Sequence, residues 1–179
     1  MDNTTETAIF AGGCFWCTEA VFKRIDGVLE VLPGYIGGKI KNPCYREVAM
    51  GITGHAEAVK IDYDAEKVSY EFLLEVFFAT HDPTTLNKQG ADVGTQYRSE
   101  IFCINEEQKE KATAFIAWLT KEKIFRDPIV TKVSMASPFY LAEDYHFNYY
   151  DANKSQPYCQ LVINPKINKL QSYYSDKLK

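Results

Sequence analysis

The chain has 179 residues, 46% of them hydrophobic, and a formal net charge of −4. That length buries one sizeable core and not two, and an acidic balance without a Lys/Arg-rich run excludes an electrostatic footprint on nucleic acid. No stretch stays apolar for the ~18 residues that a membrane-crossing helix needs. Residues 1–7 are polar and acidic where a secretory leader would begin basic and turn apolar. A soluble, cytoplasmic monomer is expected, with no nucleic-acid or membrane partner.

Residues 7–11 read as a short strand, Gly12-Gly13 as a turn, and the stretch up to Ile25 as a helix by its apolar spacing, so Cys14 stands at a helix start. Residues 28–35 form a second strand ending at Pro33-Gly34. Residues 37–43 are loop, with Tyr45 just beyond it. Residues 58–63 alternate, with Val59, Ile61 and Tyr63 on one side, as a half-buried strand does. Ser69 caps an apolar helix over residues 70–80, which stops before His81-Asp82-Pro83, and polar loop follows to Gly94. Residues 97–104 read as a strand, and Asn105 with Gln108 opens a helix through Lys121. Residues 129–135 alternate again and residues 143–150 read as helix. Pro157 and Pro165 make residues 153–179 a mostly irregular tail that ends in a short helix. Alternating strands and helices without a linker or repeat predict one α/β (or α+β) catalytic domain over residues 1–179, with its core over roughly 7–150.

Five cysteines cannot all pair within one chain, which leaves buried thiols, a metal site or redox chemistry. Cys14 is the strongest candidate nucleophile. A thiol at a helix N-terminus faces unpaired N–H groups and the positive end of the dipole, both of which favour thiolate. The two glycines before it permit close approach of another molecule. Phe15 and Trp16 cannot both face one core stripe, so at least one is expected at the surface, as an apolar wall beside the sulfur. Cys14 and Cys17 form C-x-x-C, one helical turn apart, where a disulfide is possible. Half a zinc site has the same spacing, but Cys44, Cys103 and Cys159 are scattered with no histidine nearby, so no metal is expected.

Glu57, where a Gly-containing loop meets a strand, is the candidate acid. Buried among aromatics it would stay protonated near neutral pH; the plainer reading is a surface carboxylate at a strand end. His55 in its Gly turn reads as a structural hydrogen-bonding residue. Tyr45 and Tyr97 stand out only by neighbourhood and read equally as core tyrosines. His81-Asp82-Pro83-Thr84 and Glu143-Asp144-Tyr145-His146 read as polar groups of helix ends and loops.

Gly13-Cys14-Phe15-Trp16, Gly51-x-Thr53-Gly54-His55-Ala56-Glu57, His81-Asp82-Pro83-Thr84, Gln96-Tyr97-Arg98-Ser99 and Ala142-Glu143-Asp144-Tyr145-His146 together resemble the peptide-methionine (S)-S-oxide reductases, over most of the chain. The resemblance implies a two-layer α/β sandwich of ferredoxin-like type around a mixed sheet. It implies that Cys14 attacks the sulfoxide sulfur, that Glu57 protonates its oxygen directly or through water, that Tyr45 and Tyr97 hydrogen-bond that oxygen, and that Asp92 supports the pocket. Phe15 and Trp16 would hold the substrate methyl. A Cys14 sulfenic acid would then condense with a second thiol, Cys17 or Cys159 or both in relay, and thioredoxin (dithiothreitol in vitro) would reduce the disulfide. Oxidised proteins or free methionine sulfoxide are the implied substrates, with no bound cofactor. Cys44 has no counterpart in the pattern, and Phe147 replaces an expected Gln. Two other readings are a general thiol-disulfide oxidoreductase, against which the bulky Phe-Trp pair argues, and a zinc-stabilised binding module, which lacks a second ligand pair.

Overall fold

Side-chain alternation in the central strands explains how the chain layers itself. A computed structural model describes residues 4–179, so Met1, Asp2 and Asn3, the start of the polar opening stretch, lie outside the described residues. The elements in chain order are β1 (Thr5–Gly12), α1 (Phe15–Phe22), β2 (Val28–Ile36), α2 (Tyr45–Ala49), β3 (Ala56–Asp64), α3 (Tyr70–Thr80), β4 (Lys88–Gln89), β5 (Asp92–Val93), β6 (Ser99–Cys103), α4 (Glu106–Lys121), β7 (Lys132–Met135), β8 (Tyr140–Leu141), α5 (Tyr149–Ala152) and α6 (Asn164–Tyr174). Six strands form one mixed sheet in the order β7-β6-β1-β3-β2-β8, in which only β6 and β7 run parallel.

Strand β1 lies inside the sheet and is buried from Ala8 onward. Its residues alternate between two faces. Ala8 and Phe10 join the large core beneath the helices, together with Val59, Ile61 and Tyr63 of β3 and Leu73, Leu74 and Phe77 of α3. Ile9 and Ala11 belong to a smaller cluster on the opposite face, with Ile36, Ala58 and Phe102. Helices α3 and α4 start where their caps predict: Ser69 Oγ accepts from the Phe72 amide at 3.0 Å, and Asn105 Oδ1 from the Gln108 amide at 2.8 Å. Gln108 is buried because its Nε2 donates to the Thr7 carbonyl of β1 at 2.7 Å.

Several local expectations change. The helix expected over residues 143–150 is split into a 3-10 turn, Asp144–His146, and the short α5. Asn148 between them takes a left-handed φ of 55°, with its amide on Glu19 Oε2 at 2.9 Å, which ends the first turn. The expected irregular tail is instead helical: a π turn, Cys159–Ile163, runs directly into α6. Ile163, Ile167 and Leu170 form the i, i+4, i+7 stripe that seals it to the core. Pro165 sits in the first turn of α6, directly after the π turn. Tyr97 lies in a 3-10 turn before β6 rather than in the strand, and the loop expected up to Gly94 contains the β4-β5 hairpin. No helix among the described residues is long and apolar enough to cross a membrane.

Candidate active site

Strand β1 leaves the sheet through Gly12 and Gly13, and Cys14 follows as the N-cap of α1. Gly13 has φ 97°, and a Cβ there would stand 2.7 Å from Gln89 Cγ. Glycine at this point therefore lets the β4-β5 hairpin, which carries Asp92, close against the turn that holds Cys14. Cys14 is only 9% exposed. Burial, the Cys17 contact and the negative potential of Glu57 push its thiol well above the ordinary value. Here the helix start does not prevail: α1 has eight residues, and the cost of burying charge outweighs its dipole. The neighbouring Cys14 thiol pulls Cys17 the other way, helped by Lys166 and Tyr158, so Cys17 is the more readily ionised of the two.

Glu57 comes from β3, paired with Tyr35 of β2, and is 1% exposed. Its Oε1 accepts from the Phe15 amide at 3.2 Å, while Oε2 is buried without a partner. Burial, with the charge of Asp92 adding to it, raises the carboxyl to about 8. The surface-carboxylate reading of Glu57 is thereby replaced: the group is a buried acid, protonated at neutral pH, with one oxygen left to act. Tyr45, the first residue of α2, is pushed up to about 12, chiefly by burial and then by Glu57 and Cys14. Tyr97 is raised by the same causes. Both hydroxyls hold their protons and lie within the electrostatic reach of Glu57 and Cys14.

Phe15 is fully buried, its ring 5.7 Å from Tyr35 and 4.9 Å from His146. Trp16 is the half-exposed member of the pair. It stacks on Tyr149 at 3.7 Å with 7° between the planes, and its Nε1 donates to His146 Nδ1 at 2.9 Å. That bond fixes the tautomer, so neutral His146 carries its proton on Nε2, 4.0 Å from Glu143. Among the described residues no group of three His, Cys, Asp or Glu side chains is placed to hold a metal ion.

A sequence model described as peptide methionine sulfoxide reductase matches residues 6–178. The chain belongs to the peptide methionine sulfoxide reductase family. A relative from Deinococcus radiodurans, named peptide methionine sulfoxide reductase MsrA, is 58% identical over 174 residues, covering 97% of this chain and 84% of its own. Reduced Mxr1 from Saccharomyces cerevisiae superposes with a TM-score of 0.78 at 32% identity, covering 87% of this chain and 90% of that one. Mxr1 in complex with Trx2 matches at a TM-score of 0.54 and 23% identity, covering 82% and 85%, which bears on the fold alone. The reductase is therefore a sulfoxide-reducing oxidoreductase.

Within this methionine sulfoxide reductase, Cys14, Cys17, Glu57, Tyr45, Tyr97 and Asp92 act electrostatically on one another, and Phe15 and Trp16 open the helix that Cys14 caps. Cys159 is elsewhere in character, 0% exposed within the π turn. Glu143 and His146 are more than loop polar groups. Glu143 accepts from the Tyr35 hydroxyl and from the Tyr45 amide, each at 2.7 Å, and so ties α2 and β2 to the site. The sequence signal was present in the i, i+3 pair but pointed equally to a solvated turn. Tyr158, which carried no signal, donates to Asp92 Oδ2 at 2.8 Å and lies 3.6 Å from Cys17 Sγ. Cys44 caps α2, its amide bonded to Glu47 Oε1 at 3.0 Å. His55 is structural, bonded to the Gly38 amide and the Ile40 carbonyl.

Proposed function

We propose that the chain reduces the S-epimer of methionine sulfoxide, in oxidised proteins and as the free amino acid, with Cys14 as nucleophile and Glu57 as acid. A buried carboxyl held protonated beside a buried thiol carries this reading. Sulfoxide sulfur is electrophilic only when its oxygen is protonated or strongly hydrogen-bonded, and Glu57 with the Tyr45 and Tyr97 hydroxyls can supply both without a metal. Glu57 gives a proton to the sulfoxide oxygen as Cys14 Sγ supplies the electron pair, and the Cys14 proton returns to Glu57. The S–O bond of the substrate breaks, methionine leaves, and the oxygen remains as Cys14 sulfenic acid. Phe15 and Trp16 hold the methyl, and Asp92 supports the pocket.

Cys17 resolves the sulfenic acid in this reading. Its support is the placing of the two thiols one turn apart at the start of α1 and the lowered proton affinity of Cys17. Cys159, sealed in the π turn, would have to leave the helix first, so it is not the primary resolver. The disulfide is then reduced by thioredoxin; Mxr1, whose reduced form matches this chain at 32% identity, has been solved with Trx2, and that supports a partner of this kind. A reducing compartment, the cytoplasm, suits a chemistry that starts from free Cys14 and Cys17 thiols. The order β6-β1-β3-β2 within the sheet supports the ferredoxin-like reading of the fold. The test is single-turnover reduction of racemic methionine sulfoxide by the pre-reduced protein, with chiral analysis of the remainder. Consumption of the S-epimer alone is expected; equal consumption of both epimers contradicts the assignment.

A further inference from the structure

Closing the Cys14–Cys17 disulfide requires Cys17 to lose a proton inside a site from which water is largely excluded, and Tyr158 is the hydroxyl that meets it. The Tyr158 hydroxyl lies 3.6 Å from Cys17 Sγ and 2.8 Å from Asp92 Oδ2. A phenol has one proton and free lone pairs. With that proton given to Asp92, its oxygen is left to accept from the Cys17 S–H. The ring is held in place by the edge of Trp16 at 5.8 Å and 82°, and by the buried Cys159 that follows it. We infer that Tyr158 is a positioning residue and proton relay for Cys17, passing the thiol proton to Asp92 as Cys17 attacks the Cys14 sulfenic acid. The inference rests on the reading that Cys17 is the resolving thiol.

The step balances. The Cys17 sulfur pair forms the S–S bond, the Cys14 S–O bond breaks with its pair on oxygen, and Glu57 protonates that oxygen to water. The proton lost from Cys17 enters Tyr158 as the phenolic proton moves to the Asp92 carboxylate, so no phenolate is formed; burial raises the Tyr158 hydroxyl far above its ordinary value and disfavours one. The groups facing Cys17 are Cys14 on α1, Glu57 on β3, His81 after α3, Asp92 on β5, and Tyr158 and Lys166 from the C-terminal helical segment. Lys166, anchored to the Thr80 carbonyl at 2.6 Å, favours the Cys17 thiolate but has no acceptor role for its proton.

Pre-reduced wild type, Tyr158→Phe, Asp92→Asn and Cys17→Ser are each mixed with one equivalent of methionine sulfoxide. Cys14 sulfenic acid is trapped with dimedone over time, from mildly acidic to alkaline pH. At neutral pH Tyr158→Phe is expected to close the disulfide more slowly by on the order of tenfold or more, with the trapped sulfenic acid rising to match. Asp92→Asn should do the same. The gap should shrink as pH rises and Cys17 ionises without help. A slowing that is equal at every pH, or none in either variant, overturns the relay. If Cys17→Ser blocks closure while Tyr158→Phe behaves as wild type, only the relay falls. If Cys17→Ser closes a disulfide at the wild-type rate, the resolving assignment of Cys17 falls first.

Discussion

Cys14→Ser is expected to lower methionine formation by on the order of 10⁴-fold or more, to the level of a no-enzyme control. The loss is chemical rather than geometric in origin. Serine keeps the N-cap position and nearly the volume of the thiol, so the buried aromatic surroundings of Phe15 and Tyr35 remain. A hydroxyl oxygen cannot take up the sulfoxide oxygen as a sulfenic acid does, and no two-electron route to a disulfide exists from it. Cys17, one turn further on, cannot substitute, because the buried acid Glu57 accepts from the amide of Phe15, the residue next to Cys14, and so stands beside Cys14. Methionine formation assayed with excess dithiothreitol checks this, alongside Cys103→Ser as a control at a buried thiol of the core.

Glu57→Gln is expected to cost about 10²- to 10⁴-fold in the sulfoxide-reduction step and to change its pH profile. An acid acts in its protonated form, so the wild-type rate should hold below about pH 8 and fall as pH rises through that value. In Glu57→Gln that alkaline limb should disappear. Stability gives an independent reading of the same group. The folded carboxyl is raised from 4.5 to about 8, so the native state keeps a proton that the unfolded state loses between those values. The stability this proton contributes is complete below pH 4.5 and is lost as pH rises towards and through 8. Glutamine preserves the acceptor for the Phe15 amide and removes the buried charge. Denaturant unfolding above pH 8 should therefore find Glu57→Gln at least as stable as wild type. A carboxylate retained for the fold would give a loss of stability instead.

Much of the fold and site is legible in the sequence. Cys14 after two glycines and before an apolar helix, the caps Ser69 and Asn105, and the alternation in β3 are local signals, and local signals survive folding. What escaped the sequence depended on long-range partners. Glu143 and His146 sit in a turn whose polarity looked solvated, yet the site needs them because Tyr35, Tyr45 and Trp16 arrive from other elements to be hydrogen-bonded. The proton balance of the thiol pair was reversed for the same reason. A helix start is visible in sequence, but the burial of Cys14 against Glu57 is not. The tail differs from its sequence expectation for another reason: Pro165 reads as a breaker, whereas the Ile163, Ile167, Leu170 stripe makes α6 amphipathic. Tyr158 is one of twelve tyrosines, and only the return of the tail to the β4-β5 hairpin sets it apart.

The central claim is that Cys14 receives the sulfoxide oxygen. The measurement that tests it most directly is peptide mapping by mass spectrometry after dimedone trapping, on a pre-reduced Cys17→Ser, Cys159→Ser double variant given one equivalent of methionine sulfoxide. The account predicts one methionine formed per chain and the dimedone adduct on the peptide carrying Cys14. Methionine formed with the adduct on Cys44 or Cys103, or with no adduct on any cysteine, would contradict it.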